Sequence, residues 1–230
     1  MSMELSNQKK LSEFYEELKR LNIEIVRPDI NKCFSDFTSN GKQFFYALGA
    51  IKNVGYEAIS NIVKERETNG EYKNLSDFIK RVDPKDINKL QLEGLVRAGA
   101  FDNLNDNRQS IYNSIPNIIL KSKNNFENKQ ANQFDLFDDK LSDEENILDD
   151  IEDWNIDIRL TKEFETLGFY ISDHPLNQYK SIFDQYNIVS YDNFQNDENL
   201  LSSNIVCTVL KTQEKKTQKG TSYAIIKFSD

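Results

Sequence analysis

Histidine and cysteine are scarce in this 230-residue chain: there is one histidine, His174, and the two cysteines, Cys33 and Cys207, lie far apart. That is too few for the ligand set of a zinc site, so no metal is expected and both thiols are expected to stay reduced. No apolar run approaches the roughly 20 residues needed to cross a bilayer, and the polar start Met1-Ser2-Met3-Glu4 lacks the pattern of a secretory leader. The expected location is the cytoplasm, with no membrane partner. His174 stands between Asp173 and Pro175 without a serine or cysteine nucleophile setting or a second histidine. A hydrolase centred there is not supported, and Ser172 or Asp173 is expected to cap the following helix.

With 38% hydrophobic residues the chain can bury one large core or two modest ones. Its net charge of -9 would disfavour nucleic acid if it were evenly spread. It is concentrated instead: eleven Asp and Glu against the single Lys140 lie between Phe134 and Asp157, which leaves 28 basic and 27 acidic residues elsewhere. The flanking parts remain electrostatically free to meet DNA.

Hydrophobic spacing predicts a mainly α fold. A helix is expected over 11–21, then a short strand over 23–26 ending at Arg27-Pro28, and a second strand over 42–48 after the turn at Asn40-Gly41. Further helices are expected from Gly55 to Asn69-Gly70, after a cap at Ser76, from Asp83-Pro84 to Gly99, and over 108–120. From Lys121 to Asp153 the composition turns to Asn, Lys, Gln, Asp and Glu, the signature of a linker. Helices follow through Leu160, Phe164 and Leu167 and around Tyr179, Ile182 and Phe183. The segments 204–210 and 223–228 have strand character and are joined by a basic hairpin over 215–220. Two strands alone bury little, so further strands are expected to follow or to be supplied from elsewhere.

Two segments stand out. Gln133-Phe134-Asp135-Leu136-Phe137 places three large apolar side chains inside the acidic linker. As an extended peptide it could seat Leu136 and Phe137 in a pocket of another protein, with Gln133 at the rim; as a local plug it could fold back on the helical region. Ile51-Lys52-Asn53-Val54-Gly55 reads as a tight turn before a helix, followed at a distance by Leu95-Val96-Arg97-Ala98-Gly99-Ala100-Phe101. Such turns can present backbone N–H groups to a phosphate without reading bases, with Lys52 and Lys64 adding charge, or they can be ordinary bundle turns with a glycine cap. The candidate DNA contacts are Lys52, Asn53, Val54, Gly55, Tyr56 and Lys64.

Three stretches together resemble the C-terminal half of the bacterial DNA polymerase III alpha-subunit family. They are Tyr15-Glu16-Glu17-Leu18-Lys19-Arg20-Leu21 through Pro28-Asp29-Ile30-Asn31, then Leu48-Gly49-Ala50-Ile51-Lys52 to Gly55, and Leu167-Gly168-Phe169-Tyr170-Ile171-Ser172 with His174-Pro175-Leu176. The resemblance implies an end-of-fingers segment over 1–42 and a tandem helix-hairpin-helix domain over 43–120 that binds double-stranded DNA. It implies a linker over 121–157 in which Gln133 to Phe137 binds the sliding clamp (beta subunit), a helical connector over 158–200, and an incomplete OB fold over 201–230. Single-stranded DNA is the partner implied for the OB fold. Where the family has Gly-Val-Gly in the hairpin, this chain has Asn53-Val54-Gly55; asparagine tolerates the left-handed region, so the turn is expected to survive. The family's catalytic carboxylates, which hold its magnesium, have no counterpart here, so polymerisation by this segment alone is not expected. A stand-alone helix-hairpin-helix repair or adaptor protein is the alternative.

Overall fold

The computed structural model describes residues 7–130, 147–197, 199 and 201–230. The chain divides into two compact units, Met1–Ser172 and Asp173–Asp230. It is mainly α, with a small sheet in the first unit and a strand hairpin in the second. No described helix is long and apolar enough to cross a membrane.

In the first unit, α1 (Gln8–Arg20) begins where the Asn7 side chain accepts the Lys10 N–H, and it buries Leu11 and Tyr15. Strand β1 (Glu24–Val26) pairs in parallel with β3 (Gln43–Phe45), and β2 (Thr38–Ser39) pairs antiparallel on the other side of β3. The Asn40 side chain shapes the β2–β3 turn by accepting the N–H groups of Lys42 and Gln43 at 3.1 and 2.8 Å. The strand expected to run to Leu48 stops at Phe45, because Leu48–Ala50 winds into a 3-10 turn whose Leu48 N–H bonds the Phe34 carbonyl.

The helical body follows: α2 (Tyr56–Asn69), α3 (Leu75–Arg81), a 3-10 turn at Pro84–Asp86, α4 (Lys89–Arg97), α5 (Arg108–Asn113), α6 (Ile115–Gln130) and α7 (Ile156–Leu167). Their buried faces meet in one core through Ile59, Ile62, Phe78, Leu92, Leu95, Phe101, Ile111 and Ile118.

Several expected helix boundaries move, and the helix expected over 108–120 divides at Ser114 into α5 and α6. Helix α3 is capped by Asn74, whose side chain accepts the Asp77 N–H, while Ser76 is buried one residue inside the helix. The Asp83-Pro84 start is only the 3-10 turn, and α4 begins separately at the Asn88 cap. Helix α6 runs ten residues beyond Leu120, with Ser122 buried and Lys129 donating to the Lys80 carbonyl. The chain is again packed by Ile147, which is buried in the core, and the strap to Trp154 lies along α5 through Ser110 to the Asp149 carbonyl and Asn107 to the Ile151 carbonyl.

In the second unit, His174 rather than Ser172 or Asp173 caps the next element: its Nδ1 accepts the Leu176 N–H ahead of a 3-10 turn, Pro175–Tyr179. The other ring nitrogen bonds Ser229 Oγ at 3.0 Å, so the histidine fastens the turn to the last strand. Helices α8 (Lys180–Gln185) and α9 (Tyr191–Asn196) lead to β4 (Thr208–Lys216) and β5 (Ser222–Ser229), an antiparallel ribbon with a bulge between Val209 and Lys211; the strand expected over 204–210 thus starts four residues later and runs on through the polar residues 211–216, which pair with β5.

Candidate nucleic-acid interface

The loop from Lys52 to Gly55 is formed by a local conflict: Ile51 and Val54 are both buried in the core, and only four residues separate the 3-10 turn from the Gly55 cap position. Asn53 resolves it in the left-handed region, at φ 66°, where an asparagine is tolerated better than most side chains. The departure from a glycine at this position therefore leaves the turn intact. Gly55 itself has φ -76°, and a Cβ there would meet only Ala58 Cβ at 3.9 Å, so neither the backbone angle nor packing within this chain calls for a glycine.

Two neighbours hold the loop. The Lys52 N–H donates to the Thr166 carbonyl near the end of α7, at 3.3 Å. On α4, Gly94 approaches so closely that a Cβ there would stand 2.7 Å from the Lys52 carbonyl oxygen. Neither Thr166 nor Gly94 was among the expected site residues. The available signal was a glycine inside a helical pattern, which costs about 1 kcal/mol against alanine and calls for a packing reason.

The expected contacts fall into two groups. Lys52, Asn53 and Gly55 are exposed together at the mouth of α2, and Val54 beneath them is buried. Tyr56 is 48% exposed, but its hydroxyl is already engaged, donating to Asp36 at 2.6 Å. Lys64 is also exposed, yet it lies eight residues along α2, a rise of about 12 Å, and does not share the loop's binding point. Gln133 to Phe137 lie outside the described residues.

Helices α1, α3, α4, α5, α7 and α9 each begin with an Asn or Ser side chain accepting a first-turn N–H, whereas no side chain caps α2 or the six-residue α8. First-turn N–H groups and the positive end of the helix dipole lie at the start of α2, and the exposed Lys52 stands four residues before the helix, a combination that suits an anion. Glu57 in the same turn opposes them.

The second turn expected from Leu95 to Phe101 cannot act in this way. Leu95, Val96, Ala98, Ala100 and Phe101 are buried, and the N–H groups of Ala98, Gly99 and Ala100 are spent on the carbonyls of Gly94, Val96 and Leu95. Gly99, at φ +78°, reverses the chain under Arg108, whose guanidinium bonds Asp102 and approaches the fully buried Glu163 at 3.7 Å. The structure's second hairpin is instead Pro84-Lys85-Asp86-Ile87-Asn88, leading into α4.

Residues 22–111, which include both hairpins, match the family model described as helix-hairpin-helix motif. The chain is 32% identical to the DNA polymerase III subunit alpha of Caulobacter vibrioides over 232 residues, covering 100% of this chain and 20% of that protein. It is 32% identical to the subunit of the same name from Borreliella burgdorferi over 234 residues, covering 98% and 20%, and 37% identical to that of Neisseria meningitidis over 185 residues, covering 78% and 16%. The chain thus spans about a fifth of the length of these relatives.

Proposed function

We propose, on the premise that the chain is kin along nearly its whole length to one segment of the bacterial DNA polymerase III alpha subunits, that it is a DNA-holding and tethering segment of a replicative polymerase. The hairpin before α2 grips backbone phosphates of duplex DNA, with Lys52, Asn53 and Gly55 at the contact and Val54 and Tyr56 as its packed support. Lys64 adds long-range attraction only. Gln133, Phe134, Asp135, Leu136 and Phe137 dock on the sliding clamp, so that a processive complex is held together in the cytoplasm by two modest contacts rather than one strong one. The ribbon of β4 and β5 belongs to an OB fold that takes single-stranded DNA.

The observation that carries this reading is the uncapped, lysine-flanked start of α2 inside a helix-hairpin-helix match. Contacts made by backbone N–H groups position a duplex without selecting its sequence, which is what a moving polymerase requires. The alternative, a stand-alone repair or adaptor protein, has no reason to share the relatives' similarity from α1 through the second unit.

The test is a titration of the full chain with a short duplex at several salt concentrations. Lys52→Glu is expected to weaken binding and to lower the slope of log affinity against log salt by about one. An unchanged slope and affinity sink the assignment of this hairpin.

A further inference from the structure

The two hairpins occupy equivalent places before α2 and α4, and counting back from each helix start pairs their residues: Gly55 with Asn88, Val54 with Ile87, Asn53 with Asp86 and Lys52 with Lys85. Val54 and Ile87 are both buried, which fixes the alignment physically. The remaining positions differ in the property that decides anion affinity.

At the second hairpin the helix start is already filled. Asn88 Oδ1 accepts the Gln91 N–H at 3.0 Å, so an amide oxygen of the chain itself sits where a phosphate oxygen would have to bind. The Gln91 side chain, 2% exposed, turns back to donate to the Asp86 carbonyl at 2.8 Å and closes the turn from below. Asp83 adds a second carboxylate to the turn, accepting the Lys85 N–H at 2.9 Å. The Asp86 carboxylate is claimed by α2, through Asn61 Nδ2 at 2.9 Å. Asp83, Asp86 and the capping Asn88 thus stand where the first hairpin has Ala50, Asn53 and Gly55.

We infer that the tandem is unequal: the first hairpin alone takes DNA phosphates, and the second is an internal brace that holds α2, and with it the first hairpin, through the Asn61–Asp86 bond. This rests on the reading of the first hairpin as a phosphate grip. One grip of this size engages neighbouring phosphates of one strand, so the segment adds little to the salt dependence of binding and leaves the other strand's backbone open to whatever else holds the duplex.

The experiment extends the salt titration of the full chain with a short duplex to Lys85→Glu beside Lys52→Glu. Both lysines are exposed, and far-UV circular dichroism verifies that each variant folds. Lys85→Glu is expected to keep wild-type affinity within about twofold and the wild-type slope, whereas Lys52→Glu loses about one unit of slope. An equal loss in the two variants overturns the asymmetry while leaving the first grip standing. No loss in Lys52→Glu overturns the grip itself, and the inference with it.

Discussion

Cys33 shows how completely a single side chain's chemistry is set by its surroundings. Its thiol is fully buried, donates to the Arg27 carbonyl at 3.1 Å, and is pushed up to about 12 by burial, against the partial help of backbone N–H groups. The thiolate is the reactive form, so Cys33 is expected to resist alkylation at pH 8 while half-exposed Cys207 is modified; mass spectrometry of the native and urea-unfolded chain measures this. Rapid native labelling of Cys33 would contradict the packing around it. The same segment shows what the sequence could not announce. Arg66, which reads as an ordinary helix-surface cation, is buried and donates to the Ile30 and Cys33 carbonyls at 2.7 Å each, so it ties α2 to the stretch after Pro28. Asn53 is the opposite case, because its tolerance of the left-handed region is a local property and was readable without the fold.

Between α2 and α3 the chain reverses around one guanidinium. Arg81 makes two 2.9 Å bonds to Glu65, a third to Asp77, and donates to the carbonyls of Gly70 and Glu71 while its guanidinium lies over the Tyr72 ring. Burial pushes the Glu65 carboxyl up, but the bonds from Arg81, Tyr72 and Asn69 outweigh it and hold it below the ordinary 4.5. A carboxyl depressed in the folded state contributes stability that is present above its unfolded pKa and is lost as the pH falls through the folded value. Glu65→Gln is therefore expected to cost about 1–2 kcal/mol at pH 7, after allowance for partial solvent screening, and to cost progressively less as the pH falls below the unfolded value of 4.5; a series of urea unfolding curves from pH 7 downwards reads it. A pH-independent loss would mean that Glu65 acts through packing alone. Helix α2 was legible because its apolar spacing is also its burial pattern, through Ile59, Ile62 and Val63, whereas the ribbon strands were legible only by residue type, since most of β4 and β5 is exposed. Caps were not: Asn74 and Ser76, or Asp83 and Asn88, are all good caps by type, and the packing of Leu75, Phe78 and Leu92 chooses between them. The last ten residues of α6 have linker composition and yet are helical, since polarity does not separate a solvated helix from a loop. Strand β2, two residues long, has no alternation to detect.

At the scale of the molecule the proposed clamp contact is constrained by where its two ends are fixed. Helix α6 ends at Gln130, where Lys129 meets the Lys80 carbonyl, and the chain is buried again at Ile147 before Asp149 bonds Ser114 Oγ beside the start of the same helix. A helix of 16 residues is about 24 Å long, so the fixed points lie at opposite ends of α6. Gln133 follows Gln130 by three residues and Phe137 by seven, which leashes the peptide within about 10–25 Å of the C-terminal end of α6 at full extension. A clamp bound there stays close to the helical body that carries the proposed DNA grip, and the short leash supplies a high effective concentration. Leu136 and Phe137 each contribute about 1.5–3 kcal/mol when buried in a pocket, so Leu136→Ala with Phe137→Ala is expected to reduce affinity for the cognate clamp by roughly 100-fold or more in calorimetry. Duplex affinity of the clamp-free protein is expected to stay unchanged, because the peptide and the hairpin are separate contacts. Clamp binding that survives the double substitution would remove the peptide from the assignment; loss of duplex binding along with it would show that the two contacts are one surface.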